Sequence, residues 1–137
     1  MKVCKQCKEE KGFEFFYFRD ERGAYRSICK NCTNINSVSY RKKNRQKKRD
    51  FVNSFKQRCE KCGETRHYML EFHHKDSSKK EFTIGDFMYS KGSTREGILK
   101  EIEKCVVLCA NHHREYHYLE RSENISLASY LEQTHSP

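Results

Sequence analysis

The chain of 137 residues is poor in apolar side chains: its hydrophobic fraction is 35%, against 34% charged residues. It has room for one ordinary domain or two very small ones, and apolar burial alone does not hold two small units of this composition together. No apolar run approaches the length needed to cross a bilayer, which speaks against a membrane role. The N-terminus, Met-Lys-Val-Cys, lacks the apolar core of a signal peptide, so a secreted disulfide framework is not expected. Between residues 33 and 58 there is neither glycine nor proline.

What is abundant is cysteine and positive charge. Of the eight cysteines, six fall into C-x2-C pairs, a pattern that favours metal ligation over disulfide bonding. Reduced, zinc-holding thiols and a cytoplasmic location follow as expectations. The net charge of +9 and a pI near 9.2 point to a polyanionic partner, with nucleic acid as the expectation.

The overall expectation is a small zinc-stabilised α+β chain in three parts: a knuckle domain over residues 1–40, a basic linker helix over 41–56, and a second metal-bearing domain over 57–137. In the first part, Cys4-Lys-Gln-Cys7 and Cys29-Lys-Asn-Cys32 are separated by 21 residues, the arrangement of a four-thiolate structural zinc site. Between them, Phe13 to Phe18 and Ala24 to Ile28 flank Asp20-Glu-Arg-Gly23 and read as a β-hairpin with a glycine-containing turn, giving a zinc-ribbon or treble-clef-like knuckle. Most of the hairpin aromatics are expected to pack in its core, with base stacking as the alternative use.

The linker carries seven cations, Arg41, Lys42, Lys43, Arg45, Lys47, Lys48 and Arg49. A helix that is polar all round is usually a solvent-exposed bridge, and this one presents cations to phosphates without reading sequence. Ile35 and Val38 at its start, and Phe51, Val52 and Phe55 at its end, have helical spacing and are expected to dock on the flanking parts.

The third part opens with another knuckle, Cys59-Glu-Lys-Cys62. A short strand around Leu70 and Phe72 ends in His73-His74, and an irregular loop pinned by apolar contacts follows from Lys75 to Gly92. Ser93-Thr-Arg-Glu96 has the pattern of a capping box opening a helix with Ile98, Leu99 and Ile102 inward. A second strand over Val106 to Leu108 leads into Cys109-Ala-Asn-His112-His113-Arg-Glu-Tyr-His117 and a helix. Cys59 and Cys62 need two more ligands, which the C-x2-H knuckle of Cys109 and His112 offers. Cys105 is the rival, but four extended residues cover about 13 Å, too far for both thiols to reach one ion, so Cys105 is assigned as a buried thiol. The zinc so formed ties the strand before His73-His74 to the helix bearing His113 and His117. Four further imidazoles meet there, and a second, open metal site follows.

These elements in order, Cys59-x2-Cys62, Leu70-Glu-Phe-His73-His74 and Leu108-Cys109-Ala-Asn-His112-His113-Arg-Glu-Tyr-His117, resemble the HNH endonucleases, particularly the small zinc-stapled type of phage and mobile-element genomes that includes homing endonucleases. The N-terminal double knuckle and basic helix also look like an extension seen on such phage proteins. The resemblance covers residues 59 to about 120 and implies a ββα-metal nuclease: two strands and a helix clasping a divalent ion. It maps the general base onto His74 and the ligands of the catalytic ion onto His73, His113 and His117. Because His112 and His113 are adjacent, their roles are exchangeable on sequence alone.

The implied reaction is hydrolysis of a DNA phosphodiester, with duplex DNA as the expected substrate, leaving 5′-phosphate and 3′-hydroxyl ends in the cytoplasm of a bacterial or phage-infected cell. Magnesium or manganese is the expected catalytic ion, although three imidazoles suit zinc or nickel better than magnesium. The family's central asparagine has no counterpart, since Glu103 and Lys104 occupy that region. A non-catalytic zinc-dependent DNA- or RNA-binding protein with a degenerate nuclease site is the alternative.

Overall fold

The computed structural model describes residues 1–90 and 92–133. Lys91, in the expected loop, and residues 134–137, at the end of the expected C-terminal domain, lie outside the described residues. The chain forms a small α+β protein with three two-stranded sheets among the described residues. It divides into two compact units, Met1–Gln46 and Lys47–Pro137, taken separately below.

In the first unit, β1 (Lys2–Val3) pairs antiparallel with β2 (Glu10–Lys11), and the chain between them wraps Cys4 and Cys7 into a tight knuckle. A 3-10 turn over Phe13–Phe15 leads into β3 (Phe16–Arg19), which pairs with β4 (Ala24–Cys29). Aromatic residues suit the pleated strands, and the reversal between them closes at Gly23, whose φ of 56° is left-handed and free of steric cost only for glycine.

α1 (Lys30–Asn53) starts immediately after Cys29, so Cys32 lies in its first turn. The basic helix therefore begins at Lys30, inside the second knuckle, rather than at Arg41: no residue after Cys29 stops a helix, and a knuckle that ends as a helical turn already sets its direction.

The interior of this unit is unusual in composition. Its buried residues are Cys4, Phe16, Cys29 and Cys32. Phe16 alone of the hairpin aromatics is buried; Phe13, Phe15, Tyr17, Phe18 and Tyr25 are 37–52% exposed. The expectation of an aromatic hairpin core is thus corrected. The thiols and one ring fill the space that a two-stranded hairpin can enclose, and the remaining rings have no layer to pack against. Ile35 and Val38 are likewise exposed rather than docked.

In the second unit, the end of α1 contributes Val52, which joins Ile84, Phe87, Ile98 and Cys105 in an apolar cluster flanked by Phe51, Phe72, Phe82 and Ile102. The segment 75–90 is held there by Ile84 and by Phe87, the latter within a 3-10 turn at Asp86–Met88, and a further 3-10 turn spans Ser77–Lys79. Lys48 is turned toward this loop: its Nζ donates to the carbonyls of Phe87 at 3.0 Å and Ser90 at 2.8 Å.

β5 (Leu70–His74) pairs antiparallel with β6 (Cys105–Cys109), with Leu70 opposite Cys109 and His74 opposite Cys105. Between these strands lies α2 (Arg95–Glu103). Its N-cap is Thr94, whose Oγ1 accepts from the Gly97 amide at 3.1 Å, and Ser93 instead donates to the Phe87 carbonyl. The expected box at Ser93 is thus replaced by a single cap at Thr94, because Ser93 closes the loop and Gly97, three residues after Thr94, has no side chain to complete a box. β6 runs directly into α3 (Ala110–Glu123), against which α4 (Leu127–Glu132) sets Tyr130, 1% exposed, on Tyr116 with ring centroids 5.4 Å apart. Leu70, Val106 and Leu108 pack around Cys59 and Cys109 in a second apolar cluster.

Candidate metal centres and the histidine pair of β5

Three groups of side chains bring their ligand atoms within 4.8 Å of one another: Cys4, Cys7, Cys29 and Cys32; Cys59, Cys62, Cys109 and His112; and His73, His113 and His117. Each has geometry in which a metal ion can be held.

The first group is assembled by the two knuckles. The Cys29 amide donates to Cys4 Sγ at 3.3 Å. Burial acts to raise the Cys4 thiol, but the amides of Cys29, Cys7 and Gln6 outweigh it and hold the group down at about 6. Cys32 moves the other way, pushed up to about 12 by burial and then by the neighbouring thiols. One site thus favours a thiolate while its neighbour resists one. A divalent cation removes that conflict by neutralising the shared charge, and the donor set matches tetrahedral zinc.

The second group repeats the device with one imidazole. Gly63, at φ 76°, completes the turn after Cys62, and the Gly63 amide bonds the Cys59 carbonyl at 2.9 Å. Cys62 and Cys109 Sγ are 3.9 Å apart, and His112 Nδ1 lies 3.1 Å from Cys109 Sγ and 3.7 Å from Cys59 Sγ. A tetrahedron with Zn–S near 2.3 Å has S–S edges of about 3.8 Å and S–N edges of about 3.5 Å, so these separations fit one ion. At Cys59, burial is again outweighed by amides, those of Cys62, Cys109 and Lys61, which lower the thiol. Both sulfur-rich sites are consistent with structural zinc. Cys105 is outside them: it is 9% exposed, its Sγ meets the Glu101 carbonyl at 3.4 Å, and burial raises it to about 11.

The third group has a different character. His113 and His117 are one turn apart on α3, and His73 comes from β5, the ring centroids lying 4.8–5.0 Å from each other. His113 Nδ1 lies 2.5 Å from Glu71 Oε2 and His117 Nδ1 3.2 Å from Glu120 Oε2. A carboxylate on Nδ1 fixes the proton there and turns Nε2 outward as the donor, the arrangement that orients imidazoles toward metals. His73 packs edge-on to Tyr116 at 4.9 Å, and burial, then the nearby His113 and His117, lowers it to about 4. A neutral imidazole is what a cation requires. The donor set fits a borderline divalent ion.

His74 does not join this cluster. Successive strand residues face opposite sides, and Glu71 and His73 look toward α3 while His74 looks away. Its Nε2 lies 2.7 Å from Glu101 Oε1. Glu101, 1% exposed on α2, also accepts from the Glu81 amide at 3.2 Å and from Lys104 Nζ at 3.0 Å. Burial opposes its ionisation, but the Lys104 and His74 bonds outweigh burial and hold the carboxyl below its ordinary value. Lys104 Nζ reaches further, to Glu81 Oε1 at 2.7 Å and the Lys79 carbonyl at 3.2 Å. His74 lines a cavity of about 330 Å³ together with Arg49, Lys56, Lys80 and Glu71.

Sequence reasoning missed Glu71, Glu101, Lys104 and Glu120 as partners of the histidines. Signals were present for these: Glu120 is three residues from His117 on a helix, and Glu71 alternates with His73 on a strand. For Glu101 the signal was a carboxylate on the inward stripe between Ile98 and Ile102. Arg66 is held by Glu64 in a bidentate pair. Among the described residues, no helix is long and apolar enough to cross a membrane. Comparison with protein-family models, curated proteins and solved structures returns no match.

Proposed function

We propose that this protein is a metal-dependent DNA endonuclease or nickase of the HNH type, with β5, β6 and α3 as its ββα-metal core and two thiolate clusters holding structural zinc. The observation that carries this reading is the set of three imidazoles on one strand and one helix, two of them backed by carboxylates. A divalent ion bound there supplies Lewis-acid stabilisation of charge on a phosphodiester and its leaving oxygen. Manganese suits three imidazoles and magnesium is the harder alternative.

The protein's own groups have definite parts in that chemistry. Glu71 and Glu120 hold the Nδ1 protons of His113 and His117. His74 acts as general base: with Glu101 fixing a proton on Nε2, the lone pair is at Nδ1, which takes the proton of the attacking water. Arg49, Lys56 and Lys80, around the same cavity, pair with phosphate oxygens. The bracing that the family obtains from asparagine is supplied here by Glu101 and Lys104, which together tie Lys79, Glu81 and His74. The exposed cations of α1, Arg41, Lys42, Lys43, Arg45, Lys47 and Arg49, add contacts to the DNA backbone.

A second reading, a zinc-dependent nucleic-acid-binding protein without activity, is favoured by one observation: His74 and the imidazole cluster lie on opposite faces of β5. Incubation of supercoiled plasmid with purified protein and manganese, magnesium or no added ion separates the two. Nicked or linear product from the wild type, absent with His73→Ala and His74→Ala, is the expected result. DNA binding without cleavage under every ion selects the second reading.

A further inference from the structure

The first unit carries a cleft of about 720 Å³ between the β3–β4 hairpin and the start of α1. Arg19, Arg22, Arg26 and Arg41 line it beside Tyr25 and Tyr40, and among the described residues no carboxylate does. Four arginines line one space, with no carboxylate in its walls, and so favour an anion. Its volume is that of a site for a larger ligand, of the order of 300–1,000 Å³, so a single phosphate leaves most of it unfilled.

The surface beside the cleft says what else the ligand carries. Phe13, Tyr25 and Phe18 form a continuous run of rings, with centroids 4.9 and 5.0 Å apart, all at least 37% exposed. Tyr40 stands 71% exposed on α1. Arg26 and Lys30 lie 5.8 and 5.5 Å from the ring of Tyr17, on the hairpin face opposite Tyr25 and Phe18. Exposed rings bordering a cleft lined by arginines suit a strand whose bases are unpaired. In a duplex the base faces are covered by their neighbours and leave such rings without partners.

We infer that this cleft binds single-stranded DNA, with bases stacked on the Tyr25 run and backbone phosphates on Arg19, Arg22, Arg26 and Arg41. The choice of DNA rests on the nuclease reading of the second unit; the unpaired, polyanionic character of the ligand does not. Held there, a strand is engaged by a site separate from the imidazole cluster.

Fluorescence anisotropy of the full-length, zinc-loaded chain tests this, with a labelled 20-nucleotide oligo-dT, an RNA oligo-U of equal length and a mixed-sequence duplex, without added manganese or magnesium. The expected outcome is at least tenfold tighter binding of the single-stranded DNA than of the duplex. Tyr25→Ala lowers single-strand affinity about tenfold and leaves duplex affinity unchanged, while Tyr25→Phe, which keeps the ring, retains both. R19A/R26A lowers affinity for both and reduces the salt slope by about two. Equal affinity for strand and duplex, or a Tyr25→Ala variant that binds as the wild type, overturns the proposal; preference for oligo-U overturns the DNA assignment. His74→Ala, run in parallel, keeps full single-strand affinity. Loss of plasmid cleavage with retained strand preference therefore bears on the nuclease alone, and cleavage without strand preference on the cleft alone.

Discussion

The two units bury cysteine in different company. In the first, Cys4, Cys29 and Cys32 are the interior, with Phe16 as the only apolar side chain among them. In the second, Cys59 and Cys109 sit within a cluster of Leu70, Val106 and Leu108, and a separate cluster around Ile98 and Phe87 contains no metal-candidate group. A metal in the first unit is therefore a substitute for a core, whereas in the second it is an addition to one. The difference teaches that similar C-x2-C spacing can stand for unequal dependence on the ion.

The largest effect should come from removing the ion. Structural zinc contributes on the order of 10 kcal/mol to small sites of this kind. Titration with a zinc chelator, followed by amide hydrogen exchange, is expected to abolish protection in residues 1–40 while amides of β5 and β6 stay protected. If both units lose protection together, the contrast between them is wrong.

Next in size is the complementary test. Leu108→Ala, at a position 0% exposed, should cost about 2–5 kcal/mol in denaturant unfolding of the second unit, with hydrogen exchange of the hairpin unaffected. A third change separates chemistry from stability. His74→Ala is expected to lower plasmid cleavage by about 10²–10⁴ while zinc content stays at that of the wild type. Activity near that of the wild type would return His74 to a purely structural role.

Glu101→Gln should have a smaller effect, about 1–3 kcal/mol, because a buried acceptor of three bonds loses its charge and one good partner. Its pH dependence has a definite sign. A carboxyl held below its ordinary value of 4.5 contributes stability that is fully present above that value and is lost as the pH falls through the depressed one. Acid titration of the second unit below pH 4.5 should therefore be less steep in Glu101→Gln than in the wild type. The smallest expected effect is at Val38, which is 59% exposed on α1: Val38→Ala should stay within about 0.5 kcal/mol.

Much of the metal chemistry was legible in the order of residues. Knuckle spacing fixes which cysteines can share an ion, and the reach of an extended strand was enough to set Cys105 apart. The i, i+4 relation of His113 and His117 puts them on one helix face wherever that helix lies. Less legible were the aromatics of the hairpin. Their β-propensity marks strands, but whether a ring is buried depends on how many layers the unit can build, and this one builds too few to cover them. The capping position failed for a related reason, since Ser93 and Thr94 are equally good caps and only the Phe87 carbonyl decides between them.

By itself, then, the sequence determined the cysteine knuckles and the one-turn spacing of His113 and His117, because both follow from local geometry, whereas of the four imidazoles expected in one place three are there and His74 faces away on β5. Which carboxylate meets which imidazole was decided only in three dimensions. Glu101 reaches His74 from a helix 27 residues further along, and Glu71 reaches His113 across 42, separations that no local periodicity encodes. The antiparallel pairing of β5 with β6 brings these groups together, and burial then leaves the Glu101 carboxylate to its protein partners His74, Lys104 and the Glu81 amide.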